Sequence, residues 1–72
     1  MPLTFTGQES DQIGYKAMVA HDSVDGSRVI VHASTDAIRD FGLWHVQEAA
    51  SVKYDAGQRE TDGRVVVYTA DC

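Results

Sequence analysis

The sequence predicts a small α+β domain: an antiparallel sheet of three to four strands with one helical segment packed across a single face. Three observations carry this reading. Strand-like runs stand at Tyr15 to His21, Arg28 to Ala33 and Arg64 to Ala70. The only helical pattern lies between Ser34 and Gly57. An Asp-Gly pair at Asp25-Gly26 separates the first two runs, where glycine supplies the positive φ that a hairpin turn demands. A sheet that faces helices on one side must bury one stripe of Val and Ile there.

Each element has its own signal. Leu3 and Phe5 alternate with Thr4 and Thr6, which predicts a short edge strand ending at Gly7, and the polar run Gln8 to Gln12 reads as a loop. The second strand sets Tyr15, Ala17, Val19 and His21 on one face and Lys16, Met18 and Ala20 on the other; the third sets Val29, Val31 and Ala33 against Arg28, Ile30 and His32. Ser34, Thr35 and Asp36 offer successive N-cap oxygens for a first helix that presents Ala37, Ile38 and Phe41 and ends at Gly42. A second helix is expected from Leu43 to Arg59. Val46, Ala49, Ala50, Tyr54 and Gly57 form its apolar arc, Ser51 falls opposite, and Lys53 lies within the arc with its stem reaching past the core edge. Asp62-Gly63 marks another turn. The three valines that follow, Val65 to Val67, are apolar on both faces and predict a central strand.

Composition bounds the rest. Seventy-two residues make one domain over residues 1–72, and a chain this short buries only about 60% of the surface its unfolded form exposes. Eleven acidic against six basic residues give a net charge of −5, which disfavours nucleic acid and anionic membrane surfaces as partners. No stretch approaches the roughly 18 apolar residues of a membrane span, and the run from Met1 to Thr6 does not read as a leader. The one cysteine, Cys72, closes the sequence. It is expected to be a free terminal thiol of ordinary pKa in a cytoplasmic protein.

The chemistry-bearing residues form no recognisable constellation. His21, His32 and His45 are separated by eleven and thirteen positions, unlike the close pairs of structural zinc sites. The chain has no G-x-S-x-G elbow, and its glycines form no phosphate-cradling motif, so neither a cofactor nor a metal is implied. Asp22 with Asp25, and Asp36 with Asp40, are read as turn and helix-dipole residues. Trp44 stands out, because on the helical wheel it projects away from the apolar arc, either as a cover over the core or as an interface residue.

Val24-Asp25-Gly26, the run from Ser34 to Gly42, Lys53-Tyr54, the run from Asp62 to Val67 and the closing Thr69-Ala70-Asp71 together resemble a short bacterial family catalogued as domain of unknown function 1488. The resemblance spans nearly the whole chain and rests on turn, cap and core residues. It implies a strand-strand-helix-strand arrangement in a bacterial cytoplasmic protein, and it implies no substrate, cofactor or catalytic residue.

The functional expectation is a non-enzymatic protein–protein interaction module or small homodimer, with Trp44, His45 and Tyr68 as candidate interface residues. The alternative is a small ligand-binding or enzymatic domain in which His21, His32 and Tyr68 converge on one concavity of the sheet. An acidic mimic of nucleic acid, or an inhibitor of a basic partner, rests on the charge of −5 alone.

Overall fold

Alternation along the strands decides which side of the sheet is dry. In the computed structural model, which describes residues 2–72, β1 (Leu3–Gln12), β2 (Tyr15–Asp22), β3 (Arg28–Ser34) and β4 (Val65–Val67) form one sheet in the order β1-β2-β3-β4. Met18 and Ala20 of β2, Val29, Val31 and Ala33 of β3, and Val65 and Val67 of β4 share one face and are buried. That face is covered by α1 (Thr35–Phe41) and α2 (Leu43–Asp55), which contribute Ala37, Val46, Ala50 and Tyr54 to the same core. The architecture is α+β, as the sequence predicts.

Several elements differ from expectation. The sheet is mixed rather than antiparallel, because the α1–α2 crossover returns β4 parallel to β3, with Val31, His32 and Ala33 opposite Val65, Val66 and Val67. β4 is a three-residue edge strand, not a central one, and a 3₁₀ turn over Thr69–Asp71 follows it. β1 does not stop at Gly7: it continues to Gln12, and the stretch read as a loop pairs with Met18, Ala17, Lys16 and Tyr15. Four residue steps of β1, from Phe5 to Glu9, match two of β2, from Ala20 to Met18, so the strand bulges at Thr6-Gly7-Gln8. The Thr6 hydroxyl spans the bulge, donating to the Val19 carbonyl and accepting from the Gln8 amide, both at 3.1 Å. Beyond the bulge β1 is exposed on both faces, so no apolar alternation marks it.

The helix ends follow capping chemistry. Ser34 Oγ accepts from the Ala37 amide at 3.1 Å and starts α1. α2 stops at Asp55 rather than Arg59, since Gly57, at φ 76°, terminates it: the Gln58 amide donates to the Lys53 carbonyl and the Gly57 amide to the Tyr54 carbonyl. Ser51, expected on the outer side of α2, is buried in the core. The buried line runs through Val46, Ala50 and Tyr54, while Val52 is turned outward. Lys53 does more than snorkel, as its Nζ donates to the Val66 carbonyl at 2.7 Å and meets Asp71 at 3.1 Å. Cys72 is not a free end either. It packs half-buried against the core, and burial, reinforced by Asp71, raises its thiol pKa.

One contact ties the β2–β3 hairpin to α2. Asp22 accepts from the Val24 and Asp25 amides at 2.7 and 3.3 Å, and from the Tyr54 hydroxyl at 2.6 Å. The Tyr54 hydrogen bond holds the Asp22 carboxyl below its ordinary range, and Asp22 holds the Tyr54 phenol above its own. A lowered carboxyl pKa stabilises the fold above the unfolded value of about 3.9 and loses that contribution as pH falls through the folded one. A raised phenol pKa stabilises below about 10 and loses its contribution as pH rises through the folded one. The urea midpoint should therefore contain a component that is flat between these limits and falls outside them. Tyr54→Phe should remove the alkaline arm and weaken the acid one; an unchanged pH profile in that variant would show that the contact does not operate in solution.

Candidate functional site

Helices cover one face of the sheet only, so the functional candidates lie on the other. By strand pairing, that open face carries Tyr15, Ala17, Val19 and His21 from β2, Arg28, Ile30, His32 and Ser34 from β3, and Val66 from β4. From β1 come Thr4, Ser10 and Gln12, opposite His21, Ala17 and Tyr15. Ala17, Val19, Ile30 and Val66 form an apolar row, half-buried by their neighbours. None of these strand residues is a carboxylate, although the chain holds eleven. Glu9 and Asp11 of β1 sit on the helical side, where Lys16 binds them at 3.2 and 3.6 Å. The strands of the open face thus present apolar residues, Arg28 and no carboxylate, while Glu60 and Asp62 of the loop before β4 border it.

A cavity of about 330 Å³ lies at one end of this face, between the β1–β2 turn and the loop that precedes β4. The Tyr15 and His32 rings stack in it with centroids 4.6 Å apart, and Arg64 Nη1 lies 3.3 Å from His32 Nδ1. Guanidinium groups only donate, so Nδ1 accepts and the imidazole proton resides on Nε2. Burial, followed by the nearby Arg64 charge, lowers the His32 pKa and keeps the ring neutral at pH 7. Arg64 Nε forms an ion pair with Asp62 Oδ2 at 3.5 Å and has no other partner among the described residues. Ser34, Glu60 and Tyr68 complete the polar lining.

The structure separates most of the residues singled out from sequence. His32 and Tyr68 do share the cavity, whereas His21 lies at the β2–β3 turn with Nδ1 3.2 Å from the Gly26 carbonyl. His45 belongs to the helical layer. It stacks on Phe41 at 5.4 Å, with Nε2 3.4 Å from the Cys72 carbonyl. Trp44 is 69% exposed near the start of α2, and does not cover the core. The expected convergence of His21 with His32 and Tyr68 therefore does not occur, and no group of three or more potential metal ligands lies together among the described residues. Sequence reasoning missed Tyr15 and Arg64, both of which depend on pairings that only the sheet order creates. The hint available was period two: Tyr15 on one strand and His32 on the next both fall on the side opposite the buried valines.

The fold and face define a class: a small α+β domain with a one-sided helical layer and an open sheet face whose strands carry no carboxylate. No family model, curated protein or solved structure matches the chain. Among the described residues no helix is long and apolar enough to cross a membrane.

Proposed function

We propose that this domain is a non-enzymatic interaction module that docks an acidic segment of a partner protein on the open face of its sheet. The observation that carries the reading is the pairing of a half-buried apolar row, Ala17, Val19, Ile30 and Val66, with Arg28 on a face whose strands present no carboxylate, Arg64 at its end being paired with Asp62. Apolar rows supply docking area, and charge of one sign selects the partner and its orientation. Two copies stacked face to face would oppose like charges, so an acidic partner fits this face better than a second copy. A cytoplasmic setting fits the single thiol.

A homodimer through the helical layer is the second reading, motivated by Trp44, Phe41 and Val52, which are 69%, 45% and 66% exposed. One experiment separates the two. A photo-crosslinking benzophenone side chain is placed at position 30, at position 44 or, as a control, at position 36, and products are sized in bacterial cells. A discrete product from position 30, of mass other than twice the chain and lost with Arg28→Glu, is the expected result. A product of doubled mass from position 44 alone would replace the proposal with self-association, and no product from position 30 would end it.

A further inference from the structure

The cavity beside β3 is lined by opposite charges, Arg64 and Glu60, with Asp62 on the far side of the Arg64 guanidinium, 3.5 Å from Nε. Arg64 Nε is itself buried against Asp62, so the guanidinium faces the cavity with its terminal nitrogens, while Glu60 in the same lining makes no ion pair within 4 Å among the described residues. Their main chains are tied, the Glu60 amide donating to the Arg64 carbonyl at 2.8 Å, so the loop holds both side chains at one opening. His32 adds a neutral Nε2–H donor that has no partner among the described residues, because its Nδ1 is occupied by Arg64. The lining is also aromatic and apolar: Tyr15 stacked on His32, half-buried Val66, and Ile13, wholly exposed. A fully exposed isoleucine beside an aromatic wall gains area only when something covers it.

We propose that this cavity is a binding seat for a small zwitterion of the amino-acid type with an apolar side chain. Its carboxylate meets Arg64 and the His32 Nε2–H, its ammonium faces Glu60, and its side chain lies against Tyr15 and Ile13. A guanidinium suits a carboxylate because its forked donors match the two oxygens. A purely anionic ligand would leave Glu60 unmatched, and a purely cationic one would meet Arg64. At about 330 Å³ the cavity stands at the lower bound of ligand pockets, roughly 300–1,000 Å³, which restricts it to a small molecule. The assignment shares Arg64 and Val66 with the docking face, but its small-molecule probes need no partner protein, so it can fail or hold separately from partner docking.

The test is an amide and side-chain NMR titration of the intact chain with three probes of one shape: L-phenylalanine, 3-phenylpropionate without the ammonium, and phenethylamine without the carboxylate. L-Phenylalanine should give saturable shifts at Gly14, His32 and Arg64 with a Kd on the order of 1 mM. Each singly charged probe should bind about tenfold more weakly. Arg64→Gln should erase the preference for phenylalanine over phenethylamine, and Glu60→Gln its preference over 3-phenylpropionate; both positions are partly or fully exposed, so the fold should survive. Three probes that bind equally, variants that keep the wild-type preferences, or no saturable shift up to 20 mM phenylalanine would each overturn the assignment.

Discussion

Met18→Ala should destabilise the domain more than any exposed truncation, by about 2–5 kcal/mol. Met18 is 1% exposed on the helical side of β2, paired between Glu9 of β1 and Val31 of β3, with the Gln47 amide 3.8 Å from its sulfur. Truncation removes an unbranched side chain from the middle of the layer. The strands on both sides are fixed by their ladders, so collapse into the void is limited. For a chain of this length total stability is on the order of 4–11 kcal/mol, and the loss would be a large part of it. The measurement is the urea midpoint at constant slope. Val52→Ala, at a position 66% exposed on the outer side of α2, should stay within about 0.5 kcal/mol of wild type. A Met18→Ala loss no greater than that of the control would mean that the helices do not pack on this face in solution.

Gly42→Ala should produce the next largest loss, about 1–3 kcal/mol, for a reason unrelated to packing. Gly42 joins α1 to α2 at φ 87° and ψ 155°, a region that residues with a side chain scarcely enter. A Cβ built there meets no heavy atom within 4 Å, so the cost is backbone strain and not collision. The residue serves both helices: its amide donates to the Ile38 carbonyl at 2.8 Å and its carbonyl accepts from the Val46 amide at 3.2 Å. Thermal unfolding reports the loss. At this length the chain is accessible to chemical synthesis, and D-alanine at position 42, which favours positive φ, should restore most of the stability lost with L-alanine. Equal melting of the L-alanine and wild-type proteins would show that the junction adopts an ordinary backbone conformation.

How far the sequence reached depended on whether a feature was local. The Asp25-Gly26 turn and Gly42 were visible in residue types, because turn chemistry and positive φ act within a few positions; so was the Ser34 cap, which the sequence narrowed to three neighbours. The outer half of β1 was not visible, since Glu9 to Gln12 form an edge strand exposed on both faces and carry no apolar alternation. Gly57 reads in the sequence as part of the apolar arc of a helix running to Arg59, although the hydrogen bonds to the Lys53 and Tyr54 carbonyls make it the terminator. The site was harder still: Tyr15 and His32 are neighbours because β2 pairs with β3, and Arg64 reaches His32 because β4 is laid beside β3.

The residues alone determined that this chain forms an α+β domain, because hydrophobic period and capping groups are written along the backbone and need no distant partner to be read. Tertiary structure decided the parallel placement of β4, the burial of Ser51 and Cys72, and the meeting of His32 with Arg64 and Tyr15. A crossover can return its strand in either direction while burying the same valines, so direction and neighbours are fixed only when both helices have settled on the sheet.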